Sequence, residues 1–166
     1  MCGIAGIVSF HNVSNQLISS LKNLEYRGYD SCGVAVINDM GIEIRKNTGA
    51  VEEVEIKEKI SEPQGKIGIA HTRWATHGQV AKENAHPHHS AKKDFALVHN
   101  GIVSNYSELK SELEGEGYKF LSQTDTEVIV HLLEKNYSLS NGVEEALLQT
   151  LHTLEGTYAL VMVTVH

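Results

Sequence analysis

The order of the predicted strands and helices constrains this fold more than any other feature of the sequence. Apolar, β-branched stretches predict strands at residues 3–10, 33–37, 42–46, 66–70, 95–99, 102–103 and 156–165. Helical spacing of apolar residues predicts helices that begin at an Asn12 cap, near residues 51 and 106, at a capping box of Thr124 and Glu127, and near Asn141. The strands do not alternate with crossover helices. We therefore expect an α+β fold whose mostly antiparallel sheets are covered by helices.

Two connecting segments carry further expectations. Residues 71–91 predict a long polar loop, and the dipeptide Asn100-Gly101 is typical of a tight hairpin turn between two short strands. His86, His88 and His89 lie within the loop, and ten histidines in the chain raise the question of a zinc site. Pro87 opposes the helical spacing that would aim these rings at one ion, so a histidine-rich surface loop is the preferred interpretation, and we expect no metal.

The composition excludes several classes of protein. The chain has 166 residues, 41% of them hydrophobic, which is the size of one domain with a substantial core. A net charge of −7 without a basic run argues against nucleic-acid and anionic-membrane partners. No apolar stretch approaches the ~20 residues that a membrane span needs, and the first ten residues contain no basic residue of a secretory signal. We expect a cytoplasmic domain, cut from a longer protein because the sequence stops within an apolar strand.

Cys2 is the first candidate for chemistry. Removal of Met1 would leave a thiol and a free α-amine on the same residue. The amine has an ordinary pKa of about 7.7–8.0 and the thiol of about 8.5, so the residue could supply its own general base. The alternative is a cysteine that merely begins a buried first strand. Cys32, the other cysteine, is expected to be a small hydrophobic residue in a strand, and two cysteines do not form a disulfide framework.

Five segments carry a resemblance to a known family, in the order 2–6 (CGIAG), 26–31 (YRGYDS), 71–78 (HTRWATHG), 99–101 (HNG) and 124–127 (TDTE). Together they resemble the glutaminase domain of the glutamine–fructose-6-phosphate aminotransferases, which are class II amidotransferases and N-terminal-nucleophile hydrolases. The resemblance extends over residues 1–166 and implies a four-layer αββα sandwich with two mostly antiparallel sheets. The family's domain continues beyond this length, and its sugar-isomerase domains are absent from the chain.

The resemblance implies a role for each catalytic position. Cys2 would attack the side-chain amide of L-glutamine, and the Asn100 side chain with the Gly101 backbone N–H would stabilise the oxyanion. Arg73 can bind the substrate carboxylate through two parallel hydrogen bonds, and Asp125 can bind the ammonium. Two alternatives stay open: Asn100-Gly101 as an ordinary hairpin turn, and Asp125 as a carboxylate that only complements its helix dipole.

Further residues of the same segments are assigned by resemblance alone. Thr76 and His77 would complete the carboxylate pocket, Arg27 would border the catalytic centre, and Trp74 would control ammonia passage to a second domain. A structural salt bridge is the alternative for Arg27, and a buried packing role for Trp74. No cofactor is implied. Fructose 6-phosphate would bind only through the missing domains, and the intact enzyme would be a homo-oligomer although this fragment could be monomeric.

Two other classes of function remain open from the sequence. A glutamine sensor would bind the amino acid without releasing glutamate, and a metal-binding scaffold would use the histidines of residues 86–89. Neither explains a cysteine at position 2. A glutaminase domain that serves another acceptor is the alternative within the enzyme class.

Overall fold

The protein is described by a computed structural model that covers residues 2–75 and 78–166. Within these residues the chain forms seven strands, which are β1 Gly3–Val8, β2 Ser31–Asn38, β3 Gly41–Thr48, β4 Ile67–Arg73, β5 His88–His89, β6 Phe95–Val103 and β7 Gly156–Thr164. The same residues form five α-helices, which are α1 Ser14–Leu24, α2 Val51–Glu58, α3 Tyr106–Gly115, α4 Thr126–Leu139 and α5 Val143–Thr153. A single 3₁₀ turn, Glu25–Arg27, follows α1. No helix among the described residues has the length and apolarity to cross a membrane.

The strands form two antiparallel sheets. One has the order β1-β4-β2-β3 and the other β5-β6-β7. Successive side chains of a strand point to opposite faces of its sheet. In both sheets, apolar side chains are buried on each face. In β2, Val34 and Val36 pack in the cluster that contains α1 and α2, whereas Ala35 packs against residues of the other sheet. In β6, Leu97 faces α3, α4 and α5, whereas Val98 lies between the sheets.

The layers therefore follow the order helices, sheet, sheet, helices. The expected α+β class and four-layer sandwich are confirmed, and each predicted helix lies within a few residues of its expected position. The predicted cap at Asn12 is wrong, because α1 begins without a side-chain cap and Asn12 Oδ1 accepts a hydrogen bond from the Gly65 N–H at 3.0 Å. The capping box is also wrong in detail. The Glu127 carboxylate accepts from the backbone N–H groups of Leu121 and Ser122, at 2.8 and 2.6 Å, instead of capping α4.

Two of the expected loops are replaced by regular structure. β4 continues to Arg73, and β5 forms within the predicted 71–91 loop. β6 runs without interruption from Phe95 to Val103, so the predicted hairpin at Asn100-Gly101 is wrong. Gly101 has φ +140°, a conformation open to glycine, and a Cβ at this residue would clash with the backbone oxygen of Thr157 on β7. The glycine is therefore explained by close strand approach and not by a turn.

Strand register gathers the segments of interest at one end of the sandwich. Gly3, which follows Cys2, pairs with Thr72 near the end of β4, and Ser31 at the start of β2 pairs with Arg73. Because neighbouring strands are antiparallel, the start of two strands and the end of the one between them meet at the same edge. This edge is where a cavity opens.

Candidate active site

A cavity of about 40 Å³ brings together most of the residues predicted from sequence. Its lining consists of Cys2, Arg73, Trp74, His86, His99, Asn100, Gly101, Thr124, Asp125 and Thr126. Six of these ten were predicted as site residues, and they come from four separate segments of the chain. Thr76 and His77, predicted to complete the site, lie outside the described residues.

The Cys2 side chain is held against the backbone of Trp74. Its Sγ lies 3.4 Å from the Trp74 N–H and 3.6 Å from the Trp74 carbonyl oxygen. The Cys2 carbonyl oxygen accepts hydrogen bonds from Arg27 Nε at 3.2 Å and from Asn100 Nδ2 at 3.1 Å. Arg27 thus contacts Cys2 directly, and its role at the catalytic centre stays a prediction. Cys2 is half-buried, and it lines the cavity.

The 26–31 segment shapes the backbone that follows β4. Gly28 lies so close that a Cβ there would be 2.7 Å from the Trp74 nitrogen. The Asp30 N–H donates to the Arg73 carbonyl at 3.0 Å, and the Asp30 carboxylate accepts from the Ala75 N–H at 2.8 Å. Asp30 therefore fixes both sides of the peptide that contacts Cys2. Asp30 was not predicted as a site residue from the sequence.

Arg73 is the cation of the cavity and is only 5% exposed. Its Nη1 donates to the Gln79 carbonyl oxygen at 3.4 Å. Burial lowers its pKa, and the negative charges of Cys2, Asp30 and Asp125 oppose that shift. An arginine stays protonated in proteins, so the cavity keeps a positive charge beside the thiol.

Asp125 supplies the opposite charge. It precedes α4 but makes no side-chain bond to the N–H groups of that helix. Its Oδ2 instead accepts from the Val103 N–H of β6 at 2.9 Å, and its Oδ1 lies 3.9 Å from His99 Nδ1. The carboxylate therefore joins the start of α4 to the end of β6.

Trp74 is 45% exposed, and its ring lies edge-on to Tyr29 with centroids 5.8 Å apart. A buried packing role, the alternative considered for this residue, is therefore wrong. The exposed ring lies at the rim of the cavity, while the backbone of the same residue contacts Cys2 Sγ. Cys32, in contrast, is 1% exposed, and burial raises the pKa of its thiol to about 12, as expected for a small core residue.

Buried histidines lie at and behind the cavity, and they were not predicted there from the sequence. His86 and His99 line the cavity directly. His86 and His88 are 5% and 3% exposed, so the predicted histidine-rich surface loop is wrong for both. Lys46 Nζ donates to the carbonyl oxygens on either side of His86, at 2.5 Å to Ala85 and 2.9 Å to Pro87, and so holds this segment inward. Across residues 2–75 and 78–166, no three His, Cys, Asp or Glu side chains converge as a metal site.

Burial also determines the charge of these rings. Desolvation lowers the pKa of His71 to about 4 and the pKa of His86 and His88 well below the ordinary value. It also lowers the pKa of His99, against the attraction of Asp125. These four rings are therefore neutral at pH 7, and the charges of the cavity are on Arg73 and Asp125.

Comparison with known sequences gives consistent matches. Residues 71–166 match the family described as "Glutamine amidotransferase domain". The chain is 49% identical over 166 residues to the glutamine–fructose-6-phosphate aminotransferase [isomerizing] of Sulfurisphaera tokodaii, covering 98% of this chain and 28% of that protein. The protein of the same name from Aquifex aeolicus is also 49% identical, over 100% of this chain and 28% of its own length. This chain thus spans less than a third of the relatives that it matches.

Comparison with solved structures gives the same architecture. The glutamine phosphoribosylpyrophosphate amidotransferase from B. subtilis superimposes with a TM-score of 0.85 at 29% identity, over 99% of this chain and 35% of that one. A glutamine aminotransferase class-II domain protein from Silicibacter pomeroyi superimposes with a TM-score of 0.61 at 17% identity, over 99% of this chain and 73% of that one. The second likeness concerns the fold alone.

Proposed function

Because this chain belongs to the glutamine amidotransferase domain family, we propose that it hydrolyses the side-chain amide of L-glutamine through a thioester on Cys2, giving glutamate and ammonia. One observation carries the proposal. A thiol, a guanidinium and a carboxylate line the same small cavity, on Cys2, Arg73 and Asp125. These groups match the electrophilic amide carbon, the α-carboxylate and the α-ammonium of L-glutamine.

Cys2 would act as both nucleophile and base once Met1 is removed. The α-amine takes the thiol proton, and the thiolate attacks the amide carbon to form a tetrahedral oxyanion. The proton then passes from the α-ammonium to the departing nitrogen, the C–N bond breaks, and ammonia leaves a thioester. Water attacks the thioester, the C–S bond breaks, and glutamate is released. A retained Met1 would convert the amine into an amide without useful basicity.

The oxyanion needs donors placed before the reaction begins, and loss of one such donor costs on the order of 3 kcal/mol. We assign this task to the Asn100 NH₂ group and the Gly101 backbone N–H. The position of Asn100 supports the assignment, because its Nδ2 lies 3.1 Å from the Cys2 carbonyl oxygen and thus beside the nucleophilic residue. Gly101 follows directly on the same strand and lines the same cavity.

Recognition of glutamine would use the two charges of the cavity. Arg73 offers two parallel N–H groups to the α-carboxylate, and Asp125 accepts from the α-ammonium. Thr76 and His77 remain proposed members of the carboxylate pocket through their place in the 71–78 segment. Arg27 and Trp74 are assigned supporting roles, since both contact Cys2 through its backbone or sulfur atom.

The acceptor of the ammonia is a proposal about the longer relatives. The names of these relatives include fructose 6-phosphate, and this chain spans 28% of their length. We propose that ammonia made here serves the amination of that sugar phosphate by the region that the chain does not match. Fructose 6-phosphate should then leave the rate of glutamate release by this chain unchanged. We also propose a cytoplasmic location, which the two free cysteines support because thiols persist in reducing compartments.

The test is glutamate release by protein whose N-terminal residue is shown by mass analysis to be Cys2. Cys2→Ala should abolish release while glutamine still binds, because recognition uses Arg73 and Asp125. The matched control is Cys32→Ala, which removes a buried thiol that does not line the cavity and should keep wild-type turnover. Glutamine binding without glutamate release by the processed wild type would replace the enzyme with a glutamine sensor. Undiminished release by Cys2→Ala would refute the nucleophile.

A further inference from the structure

A buried hydrogen-bond network runs from Asn100 into the protein behind the cavity. We define the histidine network as His71, His86, Thr126 and His99, which come from β4, the segment before β5, α4 and β6. All four side chains are at most 5% exposed. No role follows for them from the proposed thioester chemistry, in which the terminal amine is the base.

The protonation of His71 is fixed by a backbone carbonyl. His71 Nε2 lies 3.2 Å from the His99 carbonyl oxygen and 2.8 Å from Asn100 Oδ1. A main-chain carbonyl can only accept, so Nε2 must carry the proton and donate. The other ring nitrogen of His71, Nδ1, then holds the lone pair of a neutral imidazole. Neutrality agrees with the pKa of about 4 that burial gives this ring.

The same reasoning fixes the orientation of the Asn100 side-chain amide. Its Nδ2 lies 3.1 Å from the Cys2 carbonyl oxygen, which can only accept, and its Oδ1 receives the His71 proton. A flipped amide would place two oxygens together at Cys2 and two N–H donors together at His71. Amide orientation is set by the surrounding hydrogen bonds, and here both ends of the amide require the same orientation.

The direction of hydrogen-bond donation is also fixed at the far end of the histidine network. His86 Nδ1 lies 3.1 Å from both ring nitrogens of His71, and the two rings meet at 82°, so this nitrogen faces the π surface of the His71 ring. A π surface attracts an N–H and repels a lone pair, so His86 Nδ1 carries the proton and His86 Nε2 is an acceptor. Thr126 Oγ1 lies 2.9 Å from that nitrogen and donates to it, and the hydroxyl oxygen accepts from His99 Nδ1 at 2.9 Å. His99 Nε2 is left with a lone pair, and it has no hydrogen-bond partner among the described residues. The opposite direction would bury an unpaired N–H, which proteins avoid more strictly than an unpaired acceptor.

We propose that the histidine network is a positioning device that fixes one tautomer on each of its three rings and thereby holds the Asn100 NH₂ group on the Cys2 side of the cavity. The role rests on the proposed function, in which that NH₂ group stabilises the oxyanion. A flipped amide would turn an oxygen toward the developing negative charge and remove one of the two donors. His71, His86, Thr126 and His99 are positioning residues, because they act through Asn100 and not on the reacting atoms.

The first test is independent of turnover. Nitrogen-15 NMR of histidine side chains distinguishes Nδ1–H from Nε2–H tautomers in the wild-type protein at pH 7. The network requires Nε2–H on His71 and Nδ1–H on His86 and His99. The Nδ1–H form on His71, or the Nε2–H form on His86, would overturn the proposal. This result stands even if glutamine is not hydrolysed, so failure of the network and failure of the proposed function remain distinguishable.

The second test is kinetic, with His71→Leu removing the donor to Asn100 and His71→Gln retaining an N–H donor. Loss of an oxyanion donor lowers kcat by about 10²–10³, and we expect His71→Leu to approach this loss with KM for glutamine unchanged. His71→Gln should recover part of kcat. The matched control is His131→Leu, the same substitution at a 2% exposed histidine outside the cavity, which should keep wild-type kinetics.

A fold-sparing pair of variants covers the case in which His71→Leu does not fold. Thr126→Val keeps the side-chain shape but removes the hydroxyl between His86 and His99, and loss of one neutral hydrogen bond corresponds to roughly a two- to tenfold change. We expect kcat to fall by that order in Thr126→Val and to stay near wild type in Thr126→Ser. A wild-type kcat in Thr126→Val, or a change confined to KM in either series, would overturn the positioning role.

Discussion

Replacement of Asp30 tests how the backbone beside Cys2 is held. Asp30→Ala removes the acceptor of the Ala75 N–H, a hydrogen bond of 2.8 Å to a charged group. Such bonds contribute about 1.5–3 kcal/mol, and half-burial places this one near the lower figure. About 1.5 kcal/mol corresponds to roughly a tenfold change in an equilibrium constant. Because the same aspartate holds the backbone between Arg73 and Ala75, we expect glutamine affinity to fall by that order.

The assay is calorimetry of glutamine binding in a Cys2→Ala background, where turnover cannot interfere. Asp30→Asn keeps an acceptor but loses the charge, so its affinity should lie between those of wild type and Asp30→Ala. Asp39→Ala is the matched control, since Asp39 is an exposed aspartate of the β2–β3 turn. Wild-type affinity in Asp30→Ala, or equal loss in Asp39→Ala, would refute the role of Asp30.

Three further predictions follow from the described contacts. Arg73→Lys should weaken glutamine binding by roughly 1.5–3 kcal/mol, because it loses one of two parallel charge-assisted bonds; calorimetry with unchanged affinity would remove Arg73 from recognition. Gly101→Ala should lower the free energy of unfolding by about 1–3 kcal/mol, because the new Cβ would clash with the Thr157 oxygen. A urea midpoint equal to that of the wild type would contradict the close contact between β6 and β7. The pKa of His71 is about 6.5 in the unfolded chain and about 4 in the folded one. The free energy of unfolding should therefore decrease as the pH falls from 6.5 to 4, by roughly 3 kcal/mol from this ring. A urea midpoint that does not change between pH 6.5 and 4.5 would contradict the burial of His71.

The periodic elements and the charged site residues were predictable from sequence. The apolar stripe of α1 and the order of strands and helices predicted antiparallel sheets covered by helices, because burial of one face leaves a regular pattern. The four-layer arrangement was predicted from the family resemblance. Cys2, Arg73 and Asp125 were predicted because they are reactive or charged residues within the segments that resemble the family. The structure places all three at one cavity.

The buried polar groups were not predictable in the same way. His86 and His88 lie in a segment without periodicity, and their burial depends on partners from other elements, such as Thr126 and Thr124 of the α4 region. A histidine in a polar segment gives no local sign that its hydrogen bonds will be satisfied by residues distant in sequence. The hairpin predicted at Gly101 was wrong for a related reason. The glycine is required by the close approach of β7, a strand distant in sequence.

The central claim is a covalent bond between Cys2 and the γ-carbonyl carbon of glutamine. The most direct measurement is acid-quenched mass spectrometry of processed protein mixed with L-glutamine, followed by peptide mapping. The account predicts a transient adduct, equal in mass to glutamine less ammonia, on the peptide that begins with Cys2. The adduct should be lost on addition of hydroxylamine, which captures the acyl group. Steady glutamate release without any such adduct on Cys2, or an adduct mapped to another residue, would contradict the thioester mechanism.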